Sequence, residues 1–231
     1  MHSVPILIAL SCWAAMAVAQ GQQQTTGETD PMAGLLLPIK DAPLSVDVVV
    51  MTEKRQAEGK FDKQTNTGKV YRDSAGRTRV VSSFLMQPIY DPVAGFQFML
   101  IEQLKLAIRV KLPPTEPSQR LGFGFLGAGS ELMLEPGEKT HQHEDLGTQT
   151  IEGIEFHGSR TITTMVAEPA EVGIDDHWIS QELGLIAIIQ NSSPMRKLTV
   201  KIQNLIREEP DPSVFLVPPE YTIRDSETLR K

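Results

Sequence analysis

Apolar and polar residues alternate with a period of two through most of the chain beyond residue 43. Leu44, Val46, Val48 and Val50 fall on one side of an extended segment and Ser45 and Asp47 on the other, the pattern of a half-buried strand. Gly68–Asp73 and Arg77–Phe84 flank Ser74-Ala75-Gly76, a turn whose glycine can supply a positive φ. Asp91-Pro92-Val93-Ala94-Gly95 predicts another turn, after which Phe96, Phe98 and Leu100 alternate. Leu104–Leu112 has apolar residues at every even position with Lys105, Arg109 and Lys111 between them, so it is a strand rather than an amphipathic helix, and a hairpin turns near Glu102-Gln103. Leu146–Val166 reads as two strands folded back at Glu152-Gly153, with Gly158 at a bulge or bend. Strands around Trp178, over Leu185–Gln190 and over Lys197–Leu205 follow, and Phe215, Val217 and Tyr221 pin the C-terminal segment.

This pattern predicts an all-β fold over about residues 44–224: nine or ten antiparallel strands in a single strongly curved sheet or open half barrel, with few short helices. The expected inward set is Val46, Val48, Val50, Phe98, Leu106, Ile108, Val110, Ile162, Trp178, Leu198, Val200 and Ile202. Residues 113–140, rich in proline and glycine, form an irregular insertion, and residues 225–231 a tail.

Residues 1–19 are uncharged and apolar, too short for a membrane span, and end in Ala17-Val18-Ala19 before Gln20. They predict a secretory signal peptide, hence an exported protein that is periplasmic or extracellular. Cys12 lies inside this segment behind a poor lipobox, Ala9-Leu10-Ser11, so the mature chain has no thiol and neither a disulfide nor a cysteine metal site. Residues 20–43 read as a polar, proline-rich linker in which Met32–Ile39 is apolar enough to dock on the domain. A net charge of −7 argues against a nucleic-acid partner.

Chemistry is sparse in the sequence. Gly122–Gly127 spells GxGxxG but lacks the strand before it and the helix after it that a dinucleotide site requires, so no nucleotide or other cofactor is expected. Leu121, Phe123, Phe125 and Leu126 in that segment are either an apolar lid offered to a ligand or membrane surface, or residues packed on the sheet. His141 and His143 share one side of an extended segment, with His157 as a conceivable third metal ligand, against the alternative of a solvated strand end. Asp175-Asp176-His177 is read as a turn entering the Trp178 strand. The arginines Arg72, Arg77 and Arg79 could bind an anion or keep a hairpin surface wet. With no GxSxG elbow and no mature cysteine, nucleophilic catalysis finds no support, and the expectation is a non-enzymatic protein.

The segments TGKVYRDSAGRTR, IYDPVAG, LGTQTIEGIEFHGSRTIT and EPDPSVFLVPPEYTI together resemble a family of secreted acidobacterial proteins, over about Leu44–Ile223. More distantly, the arrangement is similar to the periplasmic lipoprotein carriers of the LolA and LolB type and to the RseB sensor domain. That resemblance implies a LolA-like incomplete barrel around an apolar cavity, and a lipid, acyl chain or lipidated protein as partner. The residues expected to line the cavity are Phe98, Ile108 and Trp178, with Leu121, Phe123, Phe125 and Leu126 above them. Two alternatives stand beside this: a structural or protein-interaction sheet without ligand, and a metal-dependent enzyme using His141 and His143.

Overall fold

The computed structural model describes residues 35–57, 59–82, 86–112 and 137–230. The expected signal peptide, most of the expected linker and the Leu121–Leu126 segment lie outside them. Twelve strands form one sheet: β1 (Leu44–Arg55), β2 (Phe61–Arg72), β3 (Thr78–Ser82), β4 (Met86–Asp91), β5 (Phe96–Ile101), β6 (Leu106–Lys111), β7 (Lys139–Ile151), β8 (Ile154–Met165), β9 (Val172–Ser180), β10 (Leu185–Ser192), β11 (Arg196–Ile206) and β12 (Thr222–Asp225). Their order is β12-β6-β5-β4-β3-β2-β1-β11-β10-β9-β8-β7, so the two ends are not joined and the sheet stays open. Two meanders, β1 to β6 and β7 to β11, are stitched together where β1 pairs with β11.

Every neighbouring pair is antiparallel except β12 with β6, which is parallel. After β11 the chain crosses to the far edge of the sheet before adding its last strand, which makes the sheet mixed rather than wholly antiparallel. β12 and β4 are the two strands beyond the expected ten. TIRD has no apolar alternation, and β4 contains Pro88. β3 pairs with β4 only at Tyr90 and Ile89, and the ladder stops at Pro88, which has no N–H to extend it.

Turn chemistry sets most of the connections. Glu152 and Gly153, with φ of 51° and 78°, make the two-residue hairpin between β7 and β8. The β2–β3 turn closes through Asp73, whose carboxylate accepts from the Arg77 N–H (2.8 Å) and the Arg77 Nε (2.5 Å). Gly76, at φ 82°, lies where a Cβ would come 2.9 Å from the Pro38 carbonyl oxygen.

The contact at Gly76 belongs to a strap. Leu35–Asp41 overlaps the apolar Met32–Ile39 stretch of the expected linker, and it does dock on the domain: Leu36 pairs with Leu185, the Ile186 N–H donates to the Leu35 carbonyl, and the Asp41 N–H donates to Ser74 O. Leu35 and Leu36 are buried beside Leu44, Val46, Leu183 and Leu185. A register shift in β10 between Ile186 and Ile188 lets Leu185, Ile186 and Ala187 all be buried in succession. The strap closes the sheet end that holds the start of β1 and the β2–β3 turn.

A candidate binding face on an open sheet

Residues directly opposite each other in a ladder share a side of the sheet, so the registers define two faces. The first face carries Val46, Val48 and Val50 of β1, opposite Val70 of β2 and Ile202 and Val200 of β11. It continues through Val80 and Tyr90 to Met99, Ile108, Ile101 and Leu106. In the other direction it passes through Ile189 to His177 and Asp175, then to Ser159, Thr161 and Thr163, and ends at Asp145, His143 and His141. The positions just named are apolar from β6 to β10 and polar from β9 to β7.

Burial divides its apolar part. Val46, Val48, Val50, Val70 and Val200 are all 1% exposed or less, whereas Met99, Ile101, Leu106, Ile108 and Val110 are only half-buried. The face is filled at the centre of the sheet and only partly covered at β5–β6.

The second face corrects the expected lining. Phe98 pairs with Arg109 and Ile89, so it lies opposite in sense to Ile108, which pairs with Met99. The reason is the β5–β6 connection: a short 3-10 turn, Glu102–Leu104, followed by Lys105 at φ 45°, brings Ile101 opposite Leu106 and therefore puts odd residues of β5 with even residues of β6. Phe98 packs with Val217 and Tyr221 of the C-terminal segment against Ile89, Leu100 and Ala107. Trp178 also lies on this second face, opposite Gly158 and seven strand positions from β5. Phe98, Ile108 and Trp178 therefore do not line one cavity. Of the expected inward set, Ile162 joins Phe98 and Trp178 on the second face, and the other nine share the first.

Gly158 is not a bend. The bulge is on its partner strand, between Asp145 and Gly147, and Gly158 is small because the Trp178 ring lies over it: a Cβ there would meet ring carbons at 2.7 Å. Gly158→Ala is expected to destabilise by about 1–3 kcal/mol through overpacking. A urea titration measures this, and pairing the change with Trp178→Leu should recover most of the loss.

Among the described residues the histidines do not converge on a metal site. His141 and His143 are exposed and side by side, but each ring rests on a threonine, Nδ1 of His141 3.2 Å from Thr163 Oγ1 and Nδ1 of His143 3.1 Å from Thr161 Oγ1. His157 lies four residues before Thr161 on β8, roughly 13 Å away at strand rise, and faces Asp145 at 3.2 Å. No group of three His, Asp or Glu side chains capable of holding a metal occurs among the described residues.

Asp175-Asp176-His177 is strand, not turn, and its alternation separates the two carboxylates. Asp176 on the second face holds Arg160 through two hydrogen bonds, at 2.7 and 2.8 Å. Asp175 on the first accepts from the Asn191 amide. His177 is beside it, with Nε2 buried and unpartnered among the described residues. Burial pushes its pKa below the ordinary histidine value, opposed by the charges of Asp175 and Asp176. The folded state thus disfavours the imidazolium, and the unfolded chain binds the extra proton. Stability from this group is complete above about pH 6.5 and falls as pH drops through that value toward the depressed one. His177→Gln should flatten the dependence of the urea midpoint on pH in that window, and an unchanged slope would show that the group does not titrate against folding.

The three arginines of the β2–β3 hairpin are neither a cluster nor a wet surface. Arg72 on the first face is completely buried, its Nε donating to Ala42 O at 2.7 Å and Nη1 to Leu37 O at 2.8 Å. Arg77 is held by Asp73 and stacks over Phe215 at 4.9 Å, and Arg79 is buried on the second face opposite Tyr71 and Ile89.

No family model and no curated protein matches the chain. Among solved structures it is similar to a LolA superfamily protein from Nitrosomonas europaea, at 7% identity over 79% of this chain and 92% of that one, with a TM-score of 0.35. The chain is similar in the same way to the Mycobacterium tuberculosis lipoprotein LppX, at 13% identity over 72% and 88% and a TM-score of 0.32. It is also similar to a structure of the Pseudomonas aeruginosa MucA/MucB complex, at 14% identity and a TM-score of 0.40, covering 81% of this chain and 60% of that one.

Proposed function

We propose that this is an exported, non-enzymatic envelope protein that holds a lipid, an acyl chain or a lipidated partner against the open part of its first face. The observation that carries the reading is the half-buried apolar surface of Met99, Ile101, Leu106, Ile108 and Val110, continuous with the filled valine surface of β1, β2 and β11. An apolar face that is only partly covered offers a binding surface for apolar matter. The complete burial of Val46, Val48 and Val50 favours a second reading, a structural or protein-interaction sheet with no ligand.

The two readings separate on uptake of a fluorescent fatty acid. Ile108→Asp should weaken uptake about tenfold or more, since covering one isoleucine side chain contributes about 1.5–3 kcal/mol. Phe98→Leu, on the opposite face, should leave uptake unchanged. Equal uptake by wild type and Ile108→Asp, or no uptake by either, removes the ligand reading.

A further inference from the structure

The two ends of the sheet differ. At one, Leu35, Leu36, Leu183 and Leu185 of the strap and its surroundings are 3% exposed or less. At the other, the β1–β2 and β10–β11 connections lie side by side and put large apolar side chains in water. Phe61 is 41% exposed and Met195 58%. They flank one arginine: Arg55 pairs with Phe61 on one side, and its backbone N–H donates to Met195 O at 2.8 Å on the other. One residue inward, Lys54 lies directly opposite Arg196, and one further, Glu53 lies directly opposite Lys197. Across residues 53–63 and 195–197 the sequence has six basic side chains, Lys54, Arg55, Lys60, Lys63, Arg196 and Lys197, against three acidic ones, on a chain whose net charge is −7.

We infer that this tip docks on an anionic lipid bilayer, with Phe61 and Met195 entering the headgroup boundary and the exposed Arg55 and Lys197 lying against the lipid phosphates. Charge complementarity selects the occupant. A local excess of cations on an acidic protein directs this end toward a negative surface. Two exposed apolar side chains bracketing Arg55 add the short-range contact that a purely electrostatic association lacks. The inference is independent of the acyl-chain reading, because it concerns the end of the sheet and not the face of β5–β6.

The test is co-sedimentation of the full chain with vesicles of equal parts phosphatidylglycerol and phosphatidylcholine, compared with phosphatidylcholine alone. Because residues 1–19 are themselves apolar, the result is read as the difference between wild type and variants of the same chain. The expected result is preferential, salt-sensitive binding to the anionic vesicles. Arg55→Glu with Lys197→Glu should weaken it about tenfold or more, at about 1 kcal/mol per cation near the surface. Phe61→Ser with Met195→Ser should weaken it while leaving the salt sensitivity in place. All four side chains are exposed, so a far-UV spectrum matching wild type shows that the fold is kept. Absence of binding to the anionic vesicles, equal binding to both kinds, or variants that bind as wild type does would each overturn the inference. A tip that instead meets an acidic protein would give the first of these outcomes.

Discussion

Arg72→Ala is expected to lower the unfolding free energy by about 3–5 kcal/mol, because it removes two buried hydrogen bonds from a charged donor, each worth about 1.5–3 kcal/mol. Arg72 has 0% exposure, and burial lowers its pKa to about 10. Its two donated hydrogen bonds go to backbone carbonyls of the strap, Ala42 O and Leu37 O. Truncation leaves both carbonyls without that donor, opens a cavity beneath the strap and loosens the covering of Leu35 and Leu36. Arg72→Lys replaces two donor nitrogens set apart on a planar fork by one compact ammonium, so partial rescue is expected rather than full. Urea unfolding followed by tryptophan fluorescence measures both, and an alanine variant within about 1 kcal/mol of wild type would contradict a structural role of that size.

Phe156→Ala should cost a comparable amount, about 3–5 kcal/mol, from lost transfer energy and the cavity left behind. β7 and β8 form the outer hairpin of the sheet, and only β8 is paired inward, to β9. Most of the β7 side chains and the outward positions Glu155, His157 and Ser159 of β8 are exposed, so the hairpin tip depends on few buried groups. Phe156, at 0%, and Ile154 join the main core there. The variant should also expose amides of β7 and β8 to hydrogen exchange earlier than those of β1 and β11. Uniform acceleration across the sheet would instead mean that the hairpin and the centre unfold as one unit.

Much of this architecture is legible in the residues. The alternation Leu44-Val46-Val48-Val50 is the buried row of β1, and Glu152-Gly153 supplies the two positive φ values of the β7–β8 turn. The period-two pattern over Leu106–Lys111 does make a strand. Which strands share a face is harder to read, because it depends on connection length and register. The four residues from Glu102 to Lys105 put Phe98 and Ile108 on opposite sides, although each alternates correctly within its own strand. Long-range pairing is equally hidden. Nothing local in TIRD marks it as β12, and Leu35 to Ile39 looks like a linker until it meets Leu185 and Arg72. Arg72 itself was unreadable as core, since a charged side chain beside a turn is usually solvated and only the carbonyls of a distant segment make its burial tolerable. The open apolar patch at β5–β6 was partly visible through Leu106, Ile108 and Val110, but Met99 and Ile101 join them only once the register is known.

The most direct measurement of the central claim is native mass spectrometry of the protein purified from its own envelope, before and after organic extraction, for wild type and Ile108→Asp. An apolar ligand held on the first face predicts an added mass on the wild-type protein that disappears on extraction and is reduced or absent in Ile108→Asp. A wild-type protein with no adduct in repeated preparations, or an adduct retained equally by Ile108→Asp, would contradict it.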